Sequence, residues 1–281
     1  MIVNEHTALA TGSILLVPYS ENHVPTYHEW MQDPELQEAT ASEPLSMEEE
    51  YAMQRSWRND RDKLTFIVCK PLESSSSPTE AARITVARAK VDDAEDRMIG
   101  DINLFLFPPD SEEMEEDVAA LGGSIVGEVE LMVARKEFQQ KGYGRAALLT
   151  FLDYILTNWS LIAREYAQSP ASSSTQDTRL DKAETEAASV PSDAGRLAVT
   201  PQLAFLRVKI NQTNVGSIRL FESVGFVRTV DEPNYFGELE LRWLPDVMIL
   251  RRQKGWEKAN ELIYRELDDE GFRKELSKRD C

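Results

Sequence analysis

Two spacings of apolar residues organise this chain. Across residues 127–134, Val129, Leu131 and Val133 alternate with Glu128, Glu130 and Met132, the period of a strand whose two faces meet different surroundings. Past residue 143 the period lengthens. Leu148, Leu152 and Ile155 fall on one stripe with Leu149 and Leu156 beside it, which predicts a helix to about Asn158. Upstream, residues 14–18 read as a short strand ended by proline, and residues 25–31 as a helix with proline in its first turn, broken at Asp33-Pro34. Ser46-x-x-Glu49 is a capping box that opens a helix through Tyr51, Ala52 and Trp57. Residues 65–69 and 98–107 read as the second and third strands, and 203–210 as the fifth. Asn214 then caps a helix from Val215 carrying Ile218, Phe221 and Val224 on one stripe. Gly225 is the expected left-handed stop, Phe226 starts the next strand, and residues 235–243 form a last alternating strand.

Other segments lack a period. Residues 71–97 read as an extended loop or hairpin. Residues 108–123 carry Asp110, Glu112, Glu113, Glu115, Glu116 and Asp117 with no basic residue, a solvated loop or an acidic lip for a basic peptide. Residues 168–200 are rich in Ser, Thr, Ala, Pro and charge and read as disordered. Because that stretch separates a helix from the next strand, it is a loop insertion and not a boundary. The expected organisation is one domain over residues 1–245, with insertions at 70–97, 108–123 and 165–200. A charged helical tail follows at 246–281, where Trp256, Ile263 and Leu267 would pack it down; its nine acidic and nine basic residues cancel.

Charge sharpens one stretch. The chain has a net charge of −18, whereas residues 135–145 hold Arg135, Lys136, Lys141 and Arg145 against Glu137 alone. This basic island contains Gln139-Gln140-Lys141-Gly142-Tyr143-Gly144-Arg145 and leads into a helix. Glycines there let an anion approach bare amides at the positive end of the helix dipole, so a polyphosphate ligand is expected. Gly142-x-Gly144-x-x-Ala147 also fits a dinucleotide-binding glycine pattern. That pattern needs its first glycine at the strand end, and seven residues intervene here; the acidic partner about 20 positions on is also missing. A helix that merely starts with glycines would explain the turn and leave the island unexplained. The acidic pI near 4.7 argues against nucleic-acid binding. No apolar run approaches the roughly 18 residues of a membrane span, and the N-terminus makes a poor signal peptide. Two cysteines, Cys69 and Cys281, form no metal site alone and suit a reduced compartment, so a cytoplasmic, or also nuclear, location is expected.

Gln139-x-x-Gly142-x-Gly144 after a fourth strand resembles the acetyl-CoA pyrophosphate loop of the GCN5-related N-acetyltransferases. Asn214-x-x-Ser217 followed by Leu220-Phe221-Glu222-x-x-Gly225-Phe226 is similar to that family's closing motif, and the order of the two is the family's. Residues 17–19, 23–25, 27–31, 41–45 and 50–54 look like the eukaryotic N-acetyltransferase 9-like branch. The resemblance implies an α/β (α+β) fold, the GNAT fold: one mixed, mostly antiparallel sheet of six to seven strands with helices on both faces. Strands four and five would splay around the cofactor, often with a bulge in the fourth. It implies acetyl-CoA as cosubstrate, no metal, and an amine acceptor, N-terminal or lysine, on a protein. Cofactor contacts would come from Leu131, Met132, Val133, Gln139, Gln140, Lys141, Gly142, Tyr143, Gly144, Arg145, Asn214 and Phe221, with the thioester carbonyl accepting an N–H near 131–133. Glu130 or Glu128 would take the amine proton, burial raising its pKa; the alternative is that both decorate a solvated face. The first helices would border the acceptor, bringing in Tyr27, His28, Trp30 and Glu43, which by themselves read first as packing, helix-surface or turn residues. One departure stands out: many members have tyrosine where Phe221 stands, and phenylalanine has no hydroxyl to reprotonate the thiolate. That keeps a second class open, a cofactor- or partner-binding module with weak or lost chemistry.

Overall fold

A computed structural model describes residues 1–40, 42–73, 85–109, 123–168 and 200–266. The serine run at 74–77, the acidic residues 110–117, nearly all of the 168–200 insertion and the tail beyond 266 lie outside the described residues. The strands are β1 (Thr7–Ala10), β2 (Leu15–Pro18), β3 (Lys63–Cys69), β4 (Val86–Arg88), β5 (Met98–Phe107), β6 (Ser124–Val133), β7 (Gln202–Asn211), β8 (Val227–Arg228), β9 (Glu238–Trp243) and β10 (Asn260–Arg265). The helices are α1 (Val24–Trp30), α2 (Pro34–Thr40), α3 (Met47–Asn59), α4 (Tyr143–Tyr166), α5 (Val215–Val224) and the single turn α6 (Val247–Leu250).

Among the described residues the strands make one sheet in the order β4-β10-β1-β2-β3-β5-β6-β7-β9-β8. Only the β4–β10 and β6–β7 pairs are parallel. The class is the one the sequence implies, but ten strands stand where six or seven were expected. β1 and β4, of four and three residues, and β8, of two, are too short for a period to register. β10 corrects the helical reading of the tail. Leu262 and Tyr264 are buried while Glu261, Ile263 and Arg265 face out, a strand period hidden by helix-favouring charge. Trp256 does pack against the core, whereas Ile263 is 56% exposed.

The tail strand is fixed by a buried polar network. The Ser20 amide donates to His23 Nδ1 at 3.0 Å, which assigns the ring proton to Nε2, and that atom donates to Asp93 Oδ2 at 2.9 Å. The Tyr264 hydroxyl donates to the same carboxylate oxygen at 2.6 Å. Network and edge strands together tie residues 20–23, the 88–97 turn and β10 into one unit.

Two apolar layers cover the sheet. Leu64, Phe66, Val68, Ile102, Leu104 and Val129 face α4 and α5, while Ile67, Cys69 and Met132 face α1. The stripe Leu148, Leu152 and Ile155 is fully buried as its period requires, and the helix runs eight residues beyond Asn158 to Tyr166. Among the described residues α4 is the one helix that by length and composition could cross a membrane, and 56% of its most apolar window is packed inside the fold. The capping box forms, Ser46 N–H donating to Glu49 Oε2 at 2.8 Å. Gly225 stops α5 at φ 109°.

Two features of the central strands open a cleft. β6 and β7 pair from Ser124–Gln202 to Glu128–Arg207 and then part, although β6 runs on to Val133 and β7 to Asn211. The irregularity in that ladder leaves Ala204 of β7 unmatched, while β6 pairs with β5 in unbroken register. The bulge is therefore in the fifth strand of the expected order, not the fourth. On the other side β5 and β6 press together at Gly100, where an added Cβ would sit 1.9 Å from the Met132 carbonyl oxygen. Strand β6 is thus held hard on one edge and released on the other.

Candidate active site

The cleft between the diverging ends of β6 and β7 is closed at one end by the start of α4. Gly142 is the N-cap at φ 90°, a left-handed conformation with open space around it. No side chain caps this helix, and among the described residues no group accepts from the amides of Gly142, Tyr143, Gly144 and Arg145. Gly144 sits among Leu131, Val133 and Leu220, so a side chain there would meet Leu220 at 3.3 Å. The row of free amides thus spans from the β6 wall to α5, and it fits an anionic group approaching the main chain.

The charges around this row differ from the sequence picture. Lys136 pairs with Glu35 at 2.6 Å and Asp33 at 3.5 Å, and Arg135 pairs with Glu137 at 2.6 Å while stacking on Phe138. The Arg145 guanidinium turns away from the cleft to Ser223 Oγ at 2.6 Å, Ser223 O at 3.2 Å and Lys254 O at 3.0 Å. Arg145 therefore clamps α4 to α5, and its amide alone faces the anion position. Gln139 donates to the Val133 carbonyl at 3.1 Å, a tie between turn and strand. Lys141 and Gln140 are exposed, Gln140 in a left-handed conformation at φ 58°. The Tyr143 ring packs edge-on against Phe138.

On β6 the two carboxylates diverge in character. Glu128 is held by Arg207 at 2.7 Å and Lys209 at 3.6 Å. Glu130 has no ion pair among the described residues. Its side chain is open to solvent, yet it stands in a concave wall crowded enough that desolvation, then the charges of Asp101, Glu128 and Glu238, push its pKa up to about 7. Leu131 and Val133 face the α4 side, half-buried, and Met132 is buried against the layer under α1. Asn214 caps α5 by accepting from Ser217 N at 3.1 Å, and among the described residues its Nδ2 has no acceptor. Phe221 is 2% exposed, its ring 5.0 Å from that of Phe226. It belongs to the apolar stripe that packs α5.

Beside Glu130 lies a cluster of buried polar side chains under α1 and α3. Asn103, opposite Glu130 in the β5–β6 register, donates to Asp101 Oδ2 at 2.8 Å. The Tyr27 hydroxyl donates to the same oxygen at 3.4 Å. Asp101 is 2% exposed, and burial raises its pKa to about 6. His28 Nδ1 is 3.8 Å from Glu50 Oε1, too long for a hydrogen bond, and burial raises the Glu50 pKa. Trp30 packs on Tyr27 and helps line a separate cavity of about 720 Å³ with Glu29, Asp33 and Arg135. Glu43 is exposed on the α2–α3 loop with no contact to this group, so the structure does not bring it to the others.

Residues 13–227 match the family described as an acetyltransferase (GNAT) domain. The chain belongs to the GNAT acetyltransferase family. It is similar to an N-acetyltransferase 9-like protein of Schizosaccharomyces pombe, 33% identical across 86% of this chain and 97% of that protein. It is also 36% identical to the alpha/beta-tubulin-N-acetyltransferase 9 of Drosophila melanogaster, over 82% of each chain. Among solved structures, spermidine N-acetyltransferase from Vibrio cholerae, crystallised with CoA and spermine, aligns with a TM-score of 0.49 at 14% identity, covering 84% of this chain and 97% of that one. This GNAT chain therefore stands with the N-acetyltransferase 9-like proteins and is an acetyltransferase.

For a GNAT enzyme the divergence of β6 and β7 is the place where sequence and structure meet. Sequence reasoning named none of Asp101, Asn103 and Glu50 as candidates. A signal existed for two of them. Asp101 and Asn103 interrupt the apolar run 98–107 at alternate positions, which puts two polar side chains on one face of a strand otherwise buried on both faces. Glu50 gave none, since it lies among Glu48 and Glu49 in a first helical turn where acids are ordinary.

Proposed function

We propose that this chain transfers the acetyl group of acetyl-CoA to an amine of a protein, with Glu130 as proton acceptor. The observation that carries the reading is an unpaired, pKa-raised carboxylate on the cleft wall whose far end is a row of uncapped amides. Those amides, with Lys141 beside them, would hold the diphosphate. The unpaired edge at Leu131–Val133 would hold the pantetheine arm, and the free Nδ2 of Asn214 would donate to it. The bound thioester supplies an activated acetyl group. Glu130, ionised, draws the proton from the acceptor ammonium and leaves the neutral amine to attack. A pKa of about 7 lies closer to an α-amine, near ~8, than to a lysine amine near ~10.4, which favours a chain terminus. Glu128 is a positioning partner for Arg207 in this scheme.

The similarity to tubulin N-acetyltransferases makes tubulin the first acceptor to try. Incubation with acetyl-CoA and peptides from tubulin termini and lysine-bearing segments, read by mass spectrometry, tests the assignment. Acetylated product lost in Glu130→Gln supports it; equal product from the variant at every pH removes Glu130. The second reading, a cofactor-binding module with weak or lost chemistry, draws on Phe221, which offers no acid to the leaving thiolate. Calorimetric binding of acetyl-CoA with no acetylated product from a peptide library would favour it.

A further inference from the structure

The cavity of about 720 Å³ beside Trp30 is of ligand-binding size and belongs to neither end of the cleft. Thr26, Glu29, Trp30 and Asp33 line it at i, i+3, i+4 and i+7, so one face of α1 and the residues just after it make a wall. The single turn before β5 adds Glu95 and Asp96, and Ala134 and Arg135 enter from the end of β6. Leu36, Trp30 and Ala134 are buried and apolar, a surface on which the methylenes of a long side chain can lie. Glu130, Met132 and Ala134 alternate onto one face of β6, so the cavity lies about 13 Å along that face from Glu130 at the rise of a strand. An extended chain covers that span in about four residues.

Four carboxylates line this cavity with one guanidinium. The guanidinium, on Arg135, is engaged by Glu137 at 2.6 Å and by the Asp96 carbonyl at 3.3 Å. Asp33 has Lys136 at 3.5 Å. Among the described residues the side chains of Glu29, Glu95 and Asp96 meet no cation and no donor, and all three are exposed. Unpaired acids on a surface are ordinary and by themselves mark a solvated rim. Thr26 is not ordinary. It is 8% exposed, and among the described residues its hydroxyl has no partner, although buried hydroxyls are normally paired. A helical threonine commonly returns its hydroxyl to the carbonyl four residues back, as Thr40 does to Leu36 at 2.8 Å. Thr26 makes no such bond, and its hydroxyl is left to the cavity.

We propose that this cavity seats an arginine side chain of the protein acceptor, carried about four residues from the amine that reacts. Its five N–H groups on a planar fork suit the three free carboxylates and the Thr26 hydroxyl together, and its stem suits Trp30 and Leu36. This deepens the acceptor side of the proposed function and rests on it. Calorimetric titration of the full chain uses an N-acetylated, C-amidated peptide with two arginines and no lysine, which has no amine to acetylate, and the same peptide with citrulline for arginine. The expected result is saturable binding of the arginine peptide and at least tenfold weaker binding of the citrulline peptide. The triple variant Glu29→Gln, Glu95→Gln, Asp96→Asn should lose at least tenfold, and Thr26→Val, which keeps the volume and removes the hydroxyl, severalfold. No binding of the arginine peptide by the wild-type chain overturns the proposal, as does equal binding of the citrulline peptide; these arms need no variant to fold. An unchanged Kd in either folded variant overturns it as well, because general attraction to a chain of net charge −18 would then account for the binding. In acetylation assays on the same preparation, an arginine four residues from the amine should lower KM with kcat unchanged, and the triple variant should remove that gain. Arginine-peptide binding without acetylation of any peptide would overturn the transferase reading and leave the arginine seat standing. Acetylation with no KM gain from arginine would overturn this proposal alone.

Discussion

The two ends of the cleft are made of different material. At the start of α4 the site is main chain: a left-handed glycine, free amides, and a second glycine that lets the helix end lie against Leu131 and Leu220. Under α1 and α3 it is side chain: Glu130, Asp101, Asn103 and Glu50, drawn from three elements and set by burial. At the first end, three of the four basic side chains that first drew attention are engaged in structural contacts. At the second, among the described residues, no lysine or arginine pairs with the acids, and His28 alone stands beside Glu50. The lesson is that formal charge along a sequence predicts neither end: backbone dipoles make one positive, and desolvation makes the other reactive.

The largest expected effect tests the side-chain end. Glu130→Gln should lower kcat by about 10²–10³ with the KM for acetyl-CoA little changed, the scale of losing a positioned base. The wild-type rate should rise with pH through about 7, as Glu130 ionises, and the variant should lose that limb. A variant that instead loosens acetyl-CoA would break the division between the two ends. Next comes the main-chain end. Gly142→Val meets no atom within 4 Å, but a β-branched residue at φ 90° is strained by about 1–3 kcal/mol. The melting temperature should fall and acetyl-CoA should bind several-fold more weakly, with kcat at saturating cofactor preserved. A third effect is the dependence of stability on pH. Asp101 has its pKa raised from 3.8 to about 6, so the fold favours the protonated acid. That contribution is complete below pH 3.8 and lost as pH rises through 6, on the order of 3 kcal/mol. Denaturant titrations at pH 4 and pH 7 should show a larger difference in the wild type than in Asp101→Asn, where Glu130 and Glu50 still titrate.

This contrast also explains what could be read in advance. The α4 end was legible because its parts are consecutive: strand, glycines and apolar stripe follow within some thirty residues. Asn214 and Gly225 were legible for the same reason, as caps of one short helix. Residues 98–107 were read as a strand, but what its polar members meet depends on α1 and α3, some fifty or more positions away in sequence. Strand β10 was misread because charged residues dominate its neighbourhood, and its pairing with β1 bridges about 250 residues. The fate of Arg145 was hidden too, since its partners Ser223 and Lys254 belong to other elements.

The smallest expected effect is the most pointed, because it concerns the basic island itself. Lys141 is exposed and carries no ion pair among the described residues, so its ammonium is the one of the four still free to face a diphosphate. An exposed charge of this kind contributes about 0.2–1 kcal/mol, and salt screens it. Lys141→Ala should therefore raise the Kd for acetyl-CoA by about fivefold at most, and the difference should shrink in 0.5 M salt. Arg145→Ala should behave in the opposite way. Its guanidinium joins α4 to Ser223 and to the Lys254 carbonyl, so the loss should appear in the melting temperature, with the affinity changed chiefly through a loosened helix start. If calorimetry instead found Lys141→Ala as damaging as Gly142→Val, side-chain charge and not the amide row would hold the anion, and the two ends of the cleft would be alike after all.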